Sequence, residues 1–290
     1  MLIADYSKTL PNDFRLYWMA DLHIGMAGVK EKLIKDLFAR IKRDDNARIA
    51  LGGDLIEAAP VGHPYFDIDV HGGDYAVTSK QVDRVCELLD GLQDKILFNL
   101  VGNHELRIKN IMDVGAAINQ RLGIDVPCGN VDIVCTLTEK KHDDYPAIKF
   151  YAHHGAGSVN SQAGDLDQIY RNDARRVKRK LRFKRADCIL MGMAHIHKIR
   201  ICKPVKQMMI IGDKDKSVKQ EYPEAIFTSD GAIEENSRWY FSTGAFFGSQ
   251  VEGIDTYASK YMYDPLQLGC VKIYVEDAKV KNVEPVIMGN

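Results

Sequence analysis

Five short stretches of the chain combine aspartate, asparagine and histidine, residue types that bind divalent metal ions. Each follows an apolar run, and together they read Asp21-Leu22-His23, Gly52-Gly53-Asp54, Gly102-Asn103-His104-Glu105, His153-His154-Gly155 and Ala194-His195-Ile196-His197. Six of the nine histidines lie in these stretches. Chance would not concentrate histidine in this way over 290 residues, so we interpret the five stretches as parts of one site.

These side chains offer carboxylate oxygen, amide oxygen and imidazole nitrogen as metal ligands. The candidates are Asp21, His23, Asp54, Asn103, His195, His197 and one histidine of the pair His153 and His154. This donor set suits Mn, Fe, Zn, Co or Ni, and its lack of cysteine argues against a structural zinc site. Seven ligands suit two ions about 3.5–4 Å apart that share a carboxylate and a water molecule. Such a pair lowers the pKa of the water toward neutrality, so that hydroxide can attack phosphorus.

Strands and helices must position these residues. Apolar runs that precede the five stretches predict strands at residues 15–20, 47–51, 95–101, 147–152 and 188–191, and further strands follow at 131–137, 207–211, 239–243, 271–275 and 283–288. Helical spacing of apolar residues predicts helices at residues 29–43, 78–92, 106–122 and 166–183. This alternation predicts a largely parallel sheet with strands added at the C-terminus. Ligands collect at the carboxyl ends of such strands, where all five stretches fall.

The five stretches, in this order, resemble the motifs of the calcineurin-like metallophosphoesterase family. The resemblance runs from about residue 15 to residue 197, with Ala194 where the family pattern has glycine. It implies an α/β fold with a β-sandwich flanked by helices, and a metal site at the C-terminal ends of the strands. It also implies a single domain over residues 1–290, with a catalytic core at about 14–200 and strands from 200–290 that complete the sandwich.

The resemblance further implies a role for each site residue. One metal ion would be held by Asp21, His23 and His197, the other by Asn103, His195 and His154, with Asp54 bridging the two ions and His153 as the alternative to His154.

Three residues near Asn103 receive roles other than metal binding. The resemblance makes His104 the general acid that protonates the leaving oxygen. Glu105 is expected to orient a neighbouring histidine. Arg107 is a candidate contact to the substrate phosphate, because a guanidinium matches phosphate geometry.

A basic stretch at residues 171–185 offers a second kind of contact. It carries nine basic side chains against one acidic side chain, Asp173. Such a helix could follow a nucleic-acid backbone, although a charge run is often only a solvated helix face. Tyr257, Tyr261 and Tyr263 could stack on bases or could pack within the protein.

The bulk composition sets limits on the class of protein. A chain of 290 residues can bury a sizeable core, and its net charge of −1 gives no overall attraction to nucleic acid or to an anionic membrane. The six cysteines form no C-x-x-C pair, which favours buried thiols in a reducing compartment. No apolar run reaches the about 18 residues of a membrane span, and the first residues lack a signal-peptide core. We therefore predict a cytoplasmic protein without a membrane partner.

The predicted function is metal-dependent hydrolysis of phosphate esters, with phosphodiesters or nucleic-acid-related substrates favoured. The cofactors would be two divalent transition-metal ions, with Mn²⁺ preferred to Fe, Zn, Ni or Co. Two alternatives stay open: a non-catalytic interaction scaffold with the same fold, and a nuclease subunit that requires a partner protein. The sequence does not predict an oligomeric state.

Overall fold

A computed structural model describes residues 1–64, 66–71, 75–205, 208–212, 218–221, 231–256 and 264–289. The strands are β1 (Leu2–Asp5), β2 (Phe14–Met19), β3 (Ala47–Leu51), β4 (Ile96–Asn99), β5 (Asp132–Thr136), β6 (Lys149–His153), β7 (Leu190–Met193), β8 (Arg200–Cys202), β9 (Met209–Gly212), β10 (Val218–Glu221), β11 (Trp239–Ser242), β12 (Gly269–Glu276) and β13 (Lys279–Ile287). The α-helices are α1 (Glu31–Lys42), α2 (Ile68–His71), α3 (Thr78–Leu89), α4 (Asn103–Arg107), α5 (Val114–Leu122) and α6 (Leu166–Leu181), with 3₁₀ turns at Gln93–Lys95 and Glu235–Ser237.

Two mixed sheets contain most of these strands. The first has the order β13-β12-β2-β3-β4, in which β2, β3 and β4 are parallel and β12 is antiparallel to β2. The second has the order β1-β5-β6-β7-β11-β8, in which β6, β7 and β11 are parallel. Strand β5 is parallel to β1 and antiparallel to β6, and β8 is antiparallel to β11. Strands β9 and β10 form a separate pair. The parallel strands that the sequence predicts in one sheet are therefore divided between two.

The two sheets pack face to face through an aromatic core. Trp18 of β2 lies in the first sheet, and its ring centroid is 5.5 Å from that of Phe150 in the second sheet and 6.2 Å from that of Phe98. The indole Nε1 of Trp18 also donates to the carbonyl oxygen of Met193, 3.2 Å away. Alternate residues of each strand point to this core, as the pleat of a strand requires. The sandwich thus depends on bulky side chains of β2, β4 and β6.

Helices cover the outer faces of both sheets. On the first sheet, α1, α3 and α5 bury residues such as Leu37, Val85 and Ile118 against the strands. On the second sheet, α6 buries Val177 and Leu181. The predicted α/β class, a β-sandwich flanked by helices, is confirmed. No helix within the described ranges is long and apolar enough to cross a membrane.

Some predicted elements differ from those observed. The predicted helix at 106–122 is two helices, because α4 ends at Arg107 and the Asp113 side chain caps a new helix by accepting from Ala116 N. Strand β1 was not predicted, and its alternate residues are exposed. The predicted strand at 207–211 falls partly outside the described residues, and Tyr257, Tyr261 and Tyr263 lie outside them entirely. The single domain stays a prediction.

Candidate metal centre

The predicted ligands follow five strands at one edge of the sandwich, in loops or, for Asn103, at the start of α4. Backbone hydrogen bonds hold these loops together. Asp21 N donates to the carbonyl oxygen of Gly53, 3.0 Å away, within the first sheet. His195 N donates to Asp21 Oδ2, 3.1 Å away, and this bond connects the two sheets. The parallel strands of both sheets therefore deliver their carboxyl ends to the same place. We define the candidate metal centre by the residues Asp21, His23, Asp54, Asn103, His154, His195 and His197.

Five of these residues have an unusual backbone conformation. Eight non-glycine residues of the described ranges have a positive φ, and among them are Asp21 (56°), His23 (49°), Asp54 (50°), His195 (68°) and His197 (52°). Each left-handed residue of this type costs of order 1–3 kcal/mol and persists only where the surrounding structure holds it. Such residues cluster at functional sites. The sharp turns aim these five side chains inward rather than along the strand direction.

The residues of the centre form two overlapping groups, and His23 also belongs to a third group with Glu57 and His104. In each group all ligand atoms lie within 4.8 Å of one another, and the two groups of the centre are Asp21, Asp54, His154 and His195, and Asp21, His23 and His197. Asp21 belongs to both groups. Asp54 Oδ2 also approaches both, since it lies 3.3 Å from His154 Nε2 and 3.8 Å from His23 Nε2. Asn103 Oδ1 lies 3.1 Å from His154 Nε2, at the margin of the first group.

The structure separates the two adjacent histidines. The Nδ1 atom of His154 lies 2.8 Å from the carbonyl oxygen of Gly52, which leaves its Nε2 facing Asp54. His153 is the last residue of β6, and its Nδ1 accepts from Gly155 N at 2.7 Å. Successive strand residues point to opposite faces, so only one of the pair can enter the cluster. His154 lies in the centre and His153 does not.

The ligand atoms of the centre fit a bound cation. His23 Nε2, Asp54 Oδ2 and His195 Nδ1 are buried and have no hydrogen-bond partner within the described ranges. A buried polar atom left in this state costs about 1–3 kcal/mol. All three atoms belong to residues of the two ligand groups, where a shared cation would satisfy them. The oxygen and nitrogen chemistry of the set suits divalent transition metals.

Protons compete with such a cation for these ligands. Burial raises the pKa of Asp21 and Asp54, but the adjacent His197 and His154 outweigh burial and hold both pKa values well below their usual range. Burial alone would lower the pKa of His154, yet the two carboxylates raise it to about 9. Burial and the charge of His154 lower the pKa of His195 to about 4. In the absence of a cation, protonated histidine therefore balances the buried carboxylates.

Glu57 is a site residue that the sequence analysis missed. Its buried carboxylate lies 2.7 Å from His23 Nδ1 and 3.2 Å from His104 Nδ1, and its backbone oxygen lies 2.8 Å from the same His104 atom. It also approaches His71 Nε2 at 3.4 Å and Arg107 Nη1 at 3.5 Å. Glu57 therefore orients the histidines. Its signal in the sequence is its position three residues after Asp54, at the start of a segment that reads as irregular.

Glu105 does not have the role that was expected of it. Its carboxylate accepts from the backbone nitrogens of Gly102 at 2.8 Å, Asp54 at 2.9 Å and Leu55 at 2.6 Å. The expectation that Glu105 orients a histidine is wrong. This buried carboxylate instead fixes the turn that contains Asp54. It accepts hydrogen bonds from backbone N–H groups that follow β3 and no longer pair with a neighbouring strand.

The remaining walls of the centre are His104, Arg107 and Phe247. His104 Nε2 lies 3.9 Å from Asp54 Oδ2 and 2.9 Å from Arg107 Nη2. The Phe247 ring lies 4.4 Å from the His23 ring and 5.2 Å from the His197 ring, measured between centroids. Phe247 follows β11 in an apolar run, so no signal in the sequence connects it with the centre.

Comparison with known proteins yields only distant structural similarity. No protein-family model and no curated protein matches the chain. Similar solved structures include the calcineurin-like phosphoesterase YfkN from Bacillus subtilis, with 13% identity, a TM-score of 0.39, and coverage of 95% of this chain and 90% of that one. The NAD nucleotidase NadN of Haemophilus influenzae has 12% identity and a TM-score of 0.36, and the match covers 95% of this chain and 50% of that one. The nuclease MPE of Pseudomonas putida has 14% identity and a TM-score of 0.32, and the match covers 93% of this chain and 87% of that one.

These proteins are described as a phosphoesterase, a nucleotidase and a nuclease. The sequence motifs resemble a family of that enzyme class. At such low identities and TM-scores, however, the similarity does not assign a family, a substrate or a reaction to this chain. The functional conclusion depends on the geometry of the candidate metal centre.

Proposed function

We propose that the chain is a metal-dependent phosphoesterase that holds two divalent transition-metal ions at the candidate metal centre. One observation carries the proposal: His23 Nε2, Asp54 Oδ2 and His195 Nδ1 are buried without a hydrogen-bond partner among the described residues. They belong to residues whose ligand atoms lie within 4.8 Å of one another. Mn²⁺ suits a ligand set of carboxylate, amide and imidazole. One ion would be held by Asp21, His23 and His197, and the other by Asn103, His154 and His195, with Asp54 between them.

Bound at this centre, two such cations would lower the pKa of a water molecule to about 7 and offset negative charge on the phosphoryl oxygens. The protein itself would supply the proton for the leaving oxygen. His104 Nδ1 lies 2.8 Å from the carbonyl oxygen of Glu57 and donates to it, which leaves Nε2 facing the centre. In the structure Arg107 Nη2 donates to this Nε2 at 2.9 Å, so Nε2–H would be donated to the leaving oxygen once Arg107 has turned to the substrate phosphate and the ring has taken up a proton. Glu57 keeps the ring in this orientation.

Arg107 would contact the substrate phosphate. Its Nη2 lies 2.9 Å from His104 Nε2, and its Nη1 lies 3.5 Å from Glu57 Oε1, so its guanidinium is beside the proton donor. A planar fork of N–H donors matches two phosphate oxygens. Phosphodiesters and nucleic-acid-related phosphates are the proposed substrates, because the loop after His154 leads to the basic helix α6.

Metal loading tests the proposal. The chain is treated with a chelator, reloaded with Mn²⁺, and assayed for bound metal and for hydrolysis of bis-p-nitrophenyl phosphate. We expect about two equivalents of metal, loss of turnover with the chelator, and recovery on reloading. A chain that binds no metal and shows no turnover would instead be an interaction scaffold with this fold.

We further propose that the whole chain forms one catalytic unit in a reducing compartment such as the cytoplasm. Strands β12 and β13 complete the sheet that carries Asp21, which supports one unit. All six cysteines are free, and burial raises the pKa of the Cys188 thiol to about 12. Unpaired, unreactive thiols are typical of reducing compartments.

A further inference from the structure

Positive charge is concentrated on one helix of the molecule. Residues 171–185, mostly within α6, carry nine basic side chains and one acidic side chain, a net charge of +8. Since the whole chain has a net charge of −1, the remaining residues sum to −9. The acidic side chain, Asp173, is buried and lies 3.2 Å from Arg200 Nη2, so its charge is already balanced inside the protein. The rest of the helix presents positive charge to its surroundings.

Part of this charge lines a groove of about 490 Å³, which we call the α6 groove. Its lining residues are Ser161, Gln162, Asn172, Arg175, Arg176, Lys178, Arg179, Arg182 and Glu235. Lys178 and Arg182 approach Glu235 at 3.3 Å and 3.7 Å and help to hold one wall. The side chains of Arg175, Arg176 and Arg179 make no hydrogen bond or ion pair with any described residue. No described residue therefore neutralises these three guanidinium groups, and they are the groups that would contact an anionic ligand.

The spacing of the arginines fits an extended anion. Arg175 and Arg179 of α6 and Arg182, which follows its last residue in the same helical conformation, are spaced i, i+4 and i+7, so they share one face. At about 1.5 Å of rise per residue, this row is about 10 Å long. This length exceeds the size of one phosphate group, so the row can contact more than one phosphate of a strand. A single small phosphate would leave part of the row unused.

An exposed aromatic ring lies at one end of the groove. Phe183 follows Arg182 and is 80% exposed, and the Arg182 guanidinium lies 4.4 Å from its ring centroid. Proteins that bind single strands combine a positive groove along the backbone with aromatic rings on which bases stack. Phe183 and the arginines supply these two components next to each other.

The opposite wall of the groove is connected to the candidate metal centre. Ser161 and Gln162 belong to the loop that begins directly after His154. The neighbouring Asn160 accepts from Lys198 Nζ at 2.9 Å, and Lys198 follows His197. A nucleic-acid strand in the groove would therefore lie along a loop that begins at His154 and is held by Lys198, the residue after His197.

We propose that the α6 groove binds a single strand of nucleic acid through its phosphodiester backbone, with a base stacked on Phe183. That this strand is also the substrate of the metal centre depends on the function proposed above. The binding itself does not depend on it, so the two can fail separately.

Fluorescence anisotropy tests the proposal with the full, metal-free chain and a labelled single-stranded DNA of about 20 nucleotides, longer than the usual site sizes. We expect the double variant Arg175→Glu/Arg179→Glu to bind at least about tenfold more weakly than wild type. For single strands, the slope of log K against log salt should shrink by about 1.4 when two phosphate contacts are lost. The matched control is Lys32→Glu/Arg40→Glu, which makes the same charge change on exposed positions of α1 and should bind like wild type.

Four results would overturn the inference. The first is equal weakening by the control and groove variants, which would show only an effect of net charge. The second is tighter binding of duplex than of single strand. The third is no effect of Phe183→Ala, which we expect to weaken binding about fivefold or more. The fourth is competition by inorganic phosphate at the same total phosphate concentration, which would indicate a small-anion site. Wild-type hydrolysis of bis-p-nitrophenyl phosphate after Mn²⁺ loading is scored separately, because its absence would contradict only the proposed enzyme.

Discussion

At the candidate metal centre, Asp21 and Asp54 are almost fully buried among histidines, whereas Arg175 and Arg179 in the α6 groove are exposed. The centre has charges of both signs, strained backbone, and buried ligand atoms that no described residue hydrogen-bonds. The groove has mostly positive charge, on a regular helix, with Glu235 as its acidic lining residue. Strained turns and burial hold the side chains of the centre in fixed positions, as metal binding and catalysis require. Exposure and like charge prepare a surface to attract a long anion, because that attraction needs little precision.

The comparison predicts that chemistry and strand binding can be separated by mutation. Replacement of the proton donor, His104→Ala, should lower turnover of bis-p-nitrophenyl phosphate by about 10²–10⁴-fold, since a positioned general acid contributes that much. Bound metal, measured by elemental analysis, should stay at the wild-type level. Full turnover in this variant would remove His104 from the reaction.

Glu57→Gln should have the next largest effect. It removes the charge that orients His23 and His104, and changes of this kind usually lower metal affinity or activity by about 10–100-fold. The matched control is Glu87→Gln, in which the replaced carboxylate is exposed and pairs only with Arg84 among the described residues. A Mn²⁺ titration followed by activity compares the two variants. Equal affinity in both would show that Glu57 has no part in the centre.

The metal-free protein should lose stability as the pH rises. The pKa values of His154 and His23 are raised in the folded state to about 9 and about 10, above an ordinary value of about 6.5. Their stabilising contribution is therefore complete below about pH 6.5 and is lost as the pH rises through 9 and 10. Thermal unfolding in chelator should show a falling Tm over this window. Added Mn²⁺ should raise the Tm more at high pH than at low pH, because it binds deprotonated ligands. A Tm of the metal-free protein that rises with pH would contradict the claim that protonated histidines balance the buried carboxylates.

The smallest expected effect is on stability in the groove. Arg175 and Arg179 are exposed and have no described partner, so Arg175→Glu/Arg179→Glu should change the free energy of unfolding by within about 0.5 kcal/mol per site. Urea unfolding measures this difference. A loss of several kcal/mol would mean that these arginines are structural, and would remove the contrast between the two regions.

The sequence was sufficient for the strand ends and for the candidate ligands. Each apolar run shows where a strand ends, and parallel strands bring these ends together, so Asp21, Asp54 and His195 could be placed at one edge. The choice between His153 and His154 depends on the residue at which β6 ends, because successive strand residues point to opposite faces. The sequence leaves that end open. The division of the strands into two sheets depends on pairings such as the antiparallel one between β5 and β6, which periodicity does not fix.

The roles of the two glutamates could not be predicted for a different reason. Glu57 and Glu105 are both buried acids within three residues of a predicted ligand. One contacts histidine rings and the other contacts backbone nitrogens of the Asp54 turn. Only the path of that turn in space distinguishes them, because the carboxylate binds whichever donors are left unsatisfied nearby.

Anomalous X-ray diffraction from crystals of the Mn²⁺-loaded chain tests the central claim most directly. The account predicts two anomalous peaks, about 3.5–4 Å apart, between the carboxylates of Asp21 and Asp54 and the imidazoles of His154, His195 and His197. Crystals of Asp54→Asn serve as the comparison, and their peaks should be weakened. Loaded crystals with no anomalous density at these side chains would contradict the account, even if the chain bound manganese elsewhere.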